Sequence, residues 1–280
     1  MSNFLRRTFT AVWIVIFVLG GFWLHPVSFF LTGLVLTAGT QIEYYSIIRN
    51  SGIRPQTGVG TFVGLTIYVL STMVAAGIIS ELYFLVLIPL FLIVMIGELF
   101  RKDVKPFDSL AHTFFGIIYV ALPFSLFPFA AFYMAGLQSI IVQQGIVFSP
   151  GLIVGFFLIL WANDTGAYLT GVSIGRHKLL ERISPKKSWE GFFGGIASAI
   201  FAAWLLGNWF GVLTKSQWMV AAIVISVSGT LGDLFESMLK RSVGVKDSGS
   251  IMPGHGGFLD RFDSALFAFP LLYLFLSLFG

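Results

Sequence analysis

Residues 82–100 read LYFLVLIPLFLIVMIGELF, a run in which Glu98 is the only charged side chain. A helix of that length reaches about 28 Å at ~1.5 Å per residue, close to the ~30 Å of bilayer hydrocarbon. Its backbone groups can be satisfied internally, as lipid demands. The run therefore predicts a membrane-spanning helix, and comparable runs recur outward from it in both directions. The spans are expected at 9–24, 27–46, 59–80, 82–100, 113–134, 147–169, 190–212, 217–239 and 264–280. The fold class is thus all-α, a polytopic membrane protein of about nine helices, or eight if the His25-Pro26 break makes a re-entrant hairpin of the first two.

Composition agrees with this reading. Only 11% of the 280 residues are charged and 56% are apolar, against about 25% charged in a soluble domain. Mean hydropathy is +0.89. Lys and Arg accumulate in cytoplasmic loops, which gives the span count an independent test. From a cytoplasmic N-terminus, the inner segments carry Arg6 and Arg7; Arg49 and Arg54; Arg101, Lys102 and Lys105; Arg176, Lys178, Arg182, Lys186 and Lys187; and Lys240, Arg241, Lys246 and Arg261. Of the 17 basic residues only Lys215 falls outside, so the N-terminus is expected inside and the C-terminus outside. The chain reads as one membrane domain over 1–280, with N-terminal helices of generic character in 1–140 and the polar chemistry in 147–280. The net charge of +4 comes from loops that meet anionic headgroups and implies no nucleic-acid partner. The absence of cysteine excludes disulfides, thiolate zinc sites and cysteine nucleophiles.

Polar residues inside spans point to function. Span six contains FFLILWANDTGAYLTG at 156–171, with Asn163 and Asp164 at the edge of the hydrocarbon, and span eight places Asp233 similarly. A carboxylate there costs a few kcal/mol or more unless paired, solvated or on a metal, so both are expected to face a shared polar cavity. Asp233, Glu236, Ser237, Lys240 and Arg241 follow helical spacing and form one stripe, in which Glu236 and Lys240 suit an internal ion pair. Beyond the stripe, Gly249, Pro253, Gly254, Gly256 and Gly257 suit a tight loop under a phosphate. Asp260 and Asp263 can then present oxygens to a hard cation such as magnesium, with Asp263 or Ser264 expected to cap the last helix. In the loop between spans six and seven, Lys186 and Lys187 precede a helix start at Ser188 to Gly191. Gly171, Gly175, Gly191 and Gly195 have spacing that lets helices pack closely. Carboxylates, several cations and a glycine loop together describe phosphoryl or nucleotidyl transfer. A P-loop is excluded, because GRHK at Gly175 has neither the spacing nor the Ser or Thr. Serine hydrolysis fits poorly, with His255 the one nearby histidine and no nucleophile elbow.

The pattern Ser237-x2-Lys240-Arg241-x4-Lys246-Asp247-x5-Pro253-Gly254-His255-Gly256-Gly257-x2-Asp260-Arg261-x-Asp263 resembles the signature of the phosphatidate cytidylyltransferases, or CDP-diacylglycerol synthases, without departure. The segments at Asn163–Tyr168 and Ser184–Gly191 are similar to motifs of the same family. The resemblance covers the C-terminal 120 residues or so in motif detail. It implies that CTP and phosphatidic acid give CDP-diacylglycerol and pyrophosphate, with magnesium and room for a second cation. Asp233 and Asp260 are then the first candidates for metal ligands, with Asp164 and Asp263 after them. Lys240, Arg241, Lys246 and Arg261, with Lys186 and Lys187, would hold the phosphates, while Ser237, Asp247, His255, Gly256 and Gly257 shape the substrate pocket. Asp164 and the two lysines are expected to complete the same cleft. Expected partners are CTP, phosphatidic acid and the bilayer, a homodimer is compatible with the sequence, and the site is expected at the cytoplasmic face of the cell membrane. The competing readings are another CTP-dependent lipid enzyme, such as a polyprenol kinase or an ether-lipid cytidylyltransferase, and a cation-coupled transporter using Asp164 and Asp233.

Overall fold

The structure is a computed structural model that describes residues 3–102, 105–133, 148–245, 248–249 and 256–279. Lys246, Asp247 and His255 of the expected site lie outside the described residues. The main regular elements of the described chain are helices and one small hairpin: α1 (Asn3–Leu24), α2 (Pro26–Arg49), α3 (Thr57–Ala75), α4 (Leu87–Leu99), α5 (Pro106–Gly116), α6 (Leu122–Ser125), α7 (Gly151–Ile174), β1 (Lys178–Leu180), β2 (Ser184–Ser188), α8 (Trp189–Leu206), α9 (Lys215–Ser242) and α10 (Leu259–Phe279). Seven helical segments among the described residues are long and apolar enough to cross a membrane: 57–75, 81–99, 106–132, 151–174, 189–206, 215–242 and 259–279. Two expected spans differ. The apolar part of α1 is short, Val12–Leu24, and α2 buries Thr32, Thr37, Thr40, Gln41 and Glu43, which dilutes its hydropathy. His25 divides α1 from α2 by capping: its Nδ1 accepts from Val27 N at 3.1 Å while Ser28 Oγ accepts from His25 N at 3.1 Å. Pro26 then occupies the first turn, where its missing N–H costs nothing.

The chain forms two compact units, residues 1–148 with 242–262, and residues 149–241 with 263–280. In the first unit, Phe22 packs on Phe29 and Phe127 with ring centroids 5.0 and 5.7 Å apart. Val63, Ile67, Val94 and Ile117 form a second apolar cluster. Polar side chains bridge these helices internally, as hydrocarbon surroundings require. Gln41 Nε2 donates to Gly60 O at 2.9 Å, and Gln56 Nε2 donates to Val94 O at 2.9 Å and Glu98 Oε2 at 2.6 Å. The segment 106–132 adapts to its prolines with wide turns. Pro123 cannot donate, and just before it Leu122 N bonds Ile117 O five residues back, closing a π turn over Ile117–Ala121. The helical stretch 81–99, quoted first for its hydropathy, has only 11% of its most apolar window buried within the protein, which suits a lipid-facing helix.

The second unit is built on the pairing of α7 with α8. Gly194 and Gly195 permit it: a Cβ on Gly194 would collide with Thr170 Oγ1, and one on Gly195 would stand 2.7 Å from Asn163 Oδ1 and 3.0 Å from its carbonyl oxygen. The small-residue spacing read from the sequence thus serves close helix packing. Phe156 meets Phe269 edge-on at 5.1 Å, and Trp218 is fully buried.

Candidate active site

Two groups of expected site residues are described, one in each unit. In the second unit the sequence 176–189, read as a plain loop, folds into the antiparallel hairpin β1–β2, with Lys178 opposite Ser188 and Leu180 opposite Ser184. Its base is pinned to α8. Ser188 Oγ accepts from Gly191 N at 3.1 Å, the expected N-cap, and Trp189 N donates to His177 O at 2.9 Å. Glu190, in the first helical turn, accepts from Arg176 N at 3.1 Å and His177 N at 3.2 Å and pairs with His177 Nδ1 at 2.6 Å. A carboxylate at this position also suits the positive end of the helix dipole.

This base delivers Lys187, whose ammonium lies 2.7 Å from Asp233 Oδ2 on α9. Ser237, one turn on, donates to Asp233 Oδ1 at 3.3 Å. One further register along the same stripe, Lys240 pairs with Glu236 at 2.6 Å, as the helical spacing requires. The two ion pairs differ in exposure. Lys187 and Asp233 are 25% and 39% exposed, whereas Lys240 and Glu236 are 14% and 1% exposed. A buried pair is costly to break; a pair open to solvent can change partners at small cost. Asp263 of α10 is buried, accepts from Ser264 N at 2.6 Å, and stands within electrostatic reach of Asp233, Glu236 and Asp164. Asp164 itself is exposed on α7, while its neighbour Asn163 is the buried member of that pair. Lys186 and Arg241 are exposed.

The second group lies in the first unit, where the start of α10 differs from the expected capping by Asp263. Helix α10 starts at Leu259, five residues before the expected boundary, so Asp263 sits in its second turn and caps nothing. Asp260 takes the terminal backbone donors instead. Its carboxylate accepts from Ser248 N at 3.1 Å and Gly257 N at 3.0 Å, and Asp260 N donates back to Ser248 Oγ at 3.3 Å. Gly256 has φ of 79°, a conformation open chiefly to glycine. Arg261 is exposed. A further carboxylate, Glu43 of α2, accepts from Leu259 N at 2.9 Å and Ser248 Oγ at 3.4 Å. Sequence reasoning passed over Glu43, although an acidic residue inside the span 27–46 is the same signal that singled out Asp164 and Asp233.

Among the described residues, no three His, Asp or Glu side chains stand together in a way that could hold one metal ion. A protein site for magnesium made of one or two carboxylates remains consistent with this, because that ion keeps several waters and takes its other ligands from substrate phosphates.

Comparison with known proteins gives the group its context. A phosphatidate cytidylyltransferase of Staphylococcus epidermidis is 53% identical over 122 residues, 43% of this chain and 46% of the relative. Those of Staphylococcus aureus and Staphylococcus haemolyticus are 49% and 48% identical over 122 residues, with the same coverage. The aligned part thus spans less than half the length of each relative. The cytidylyltransferase family matches far more of the chain, residues 5–279, and the protein belongs to that family.

Proposed function

We propose that this chain transfers CMP from CTP to phosphatidic acid, giving CDP-diacylglycerol and pyrophosphate. The observation that carries the proposal is the partly exposed Lys187–Asp233 pair, set between an SPKKSWEG hairpin and a charged helical stripe. A phosphate monoester is largely ionised near neutral pH, its second pKa being about 6. Its oxygen can therefore attack the α-phosphorus of CTP without a protein nucleophile. The new P–O bond forms as the bond to the β-phosphate oxygen breaks, and pyrophosphate leaves with that electron pair. What the protein supplies is position and charge. Lys187 can turn from Asp233 to a phosphate oxygen, and Lys186 and Arg241 are exposed cations for the remaining phosphate charge; a substrate-binding role for Arg261 is proposed from the sequence pattern alone. Lys240, held by buried Glu236, keeps the stripe in register.

Magnesium fits the oxygen-only donor set of the second unit, where Asp233 and Asp263 would hold it, with Asp164 nearby in charge. Bound there, it would neutralise triphosphate oxygens. Asp260 is also proposed as a metal ligand, its orientation set by the N–H groups of Ser248 and Gly257. In the membrane we propose nine crossings, a cytoplasmic N-terminus, an outer C-terminus and a site at the cytoplasmic face, supported by the one-sided distribution of Lys and Arg.

The test is incubation of the purified full chain with CTP, phosphatidic acid and magnesium. Pyrophosphate and CDP-diacylglycerol should appear together. Release of CDP with a newly phosphorylated lipid would establish a kinase instead. Uptake of solute into sealed vesicles without nucleotide would favour a transporter.

A further inference from the structure

Glu43 has the features of a side chain kept for a purpose. It is 2% exposed, and burying a carboxylate costs several kcal/mol that only hydrogen bonds or ion pairs can offset. Its contacts all fall on one segment. Oε2 accepts from Leu259 N, the first residue of α10, and from Ser248 Oγ. Ser248 in turn is joined to Asp260 twice, N to carboxylate and Oγ from Asp260 N. These bonds tie Ser248 to the start of α10, next to Gly256 and Gly257.

Two described glycines, Gly249 and Gly257, record the same carboxylate. A Cβ on Gly257 would collide with Glu43 Oε2 and Ser248 Oγ, and one on Gly249 would stand 2.8 Å from Glu43 Oε1. One turn earlier on α2, Gly39 leaves room for the ring of Phe258, which a Cβ would meet at 2.9 Å. Positions 39 and 43 share one helix face, so α2 offers a groove and an acid to three consecutive residues, Gly257, Phe258 and Leu259. Glu43 Oε1 has no hydrogen-bond partner among the described residues.

We infer that Glu43 is a positioning residue for the proposed transfer: its carboxylate clasps Ser248 and Leu259, and through Ser248 fixes the orientation of Asp260. The inference rests on the proposed function only for its catalytic consequence. The clasp itself is a property of the fold.

Two measurements on the full chain separate these parts. Amide hydrogen exchange of the detergent-solubilised protein reads the clasp without catalysis. In Glu43→Ala the amides of Ser248, Gly257 and Leu259 should exchange at least tenfold faster while those of α7 and α8 keep their rates; unchanged exchange at the three amides overturns the clasp. In the assay with CTP and phosphatidic acid, Glu43→Ala should lower kcat/KM for CTP about 10- to 100-fold, the scale of a reacting group displaced by about an ångström. The isosteric Glu43→Gln, which keeps one acceptor oxygen, should recover at least half of that loss on a logarithmic scale at an unchanged melting temperature. A packing role alone would move activity only in step with the melting temperature. Glu43→Ala turning over within twofold of the parent overturns the positioning role. If the parent itself does not make CDP-diacylglycerol, the functional proposal fails, and the exchange measurement still decides the clasp.

Discussion

The two polar groups neutralise their carboxylates in opposite ways. In the second unit Asp233 and Glu236 meet ammonium groups, Lys187 and Lys240. In the first, Asp260 and Glu43 meet backbone N–H groups and a serine hydroxyl. An ammonium on a flexible stem can be surrendered to a competing phosphate, because it is a mobile point charge. A backbone N–H cannot leave without unfolding its segment. On the proposed function, the partly exposed Lys187–Asp233 pair is where charge can be exchanged, while the backbone bonds to Asp260 and Glu43 hold the shape in which Asp260 is presented.

The comparison breaks most sharply at Asp233. Asp233→Asn should lower turnover roughly 1000-fold, on the scale of losing a preorganised electrostatic group, in protein that still inserts and purifies; near-normal CDP-diacylglycerol synthesis would refute its role. Lys240→Ala tests the buried pair and should read out as stability. Removing the ammonium beside a carboxylate only 1% exposed should cost about 3 kcal/mol, measured as the denaturant midpoint in detergent. For Gly257→Ala, the added methyl meets Glu43 Oε2 and Ser248 Oγ, and kcat should fall about 100-fold. The same substitution at Gly58, where a Cβ meets nothing within 4 Å, should leave kcat within twofold. The smallest effect belongs to Ser188→Ala, which removes the N-cap of α8. It should cost about 1 kcal/mol, visible as earlier melting with little change in turnover.

What the sequence made legible follows from which forces are local. Spanning helices declare themselves because lipid forces every backbone group to find a partner within the segment. The Glu236–Lys240 pair was readable for a similar reason, since four residues along a helix is a fixed distance. The hairpin at 178–188 was not, because KLLERISPKKS is short, charged and without clean alternation, and its pairing is secured by Ser188, Glu190 and His177 rather than by apolar faces. That Asp260, and not Asp263, takes the backbone donors before α10 escaped for want of a helix boundary. Phe258 and Leu259 look like loop residues until α2 is known to cover them. Glu43 was hardest, its hydrogen-bond partners lying 205 and 216 positions away.

The glycine-lined contact of α7 and α8 has a mechanical consequence. Gly194 and Gly195 let the side chains of Thr170 and Asn163 rest directly on the backbone of α8, a close fit that resists sliding of one helix along the other. The hairpin that joins them is fastened at its base by Ser188, Trp189 and Glu190. Lys187 therefore reaches Asp233 from a fixed mount, and in the proposed transfer a change of partner needs only rotation about its four-carbon stem. In the transfer proposed above, an anchor of this kind would give a lipid phosphate from the bilayer and a nucleotide from water one common landmark.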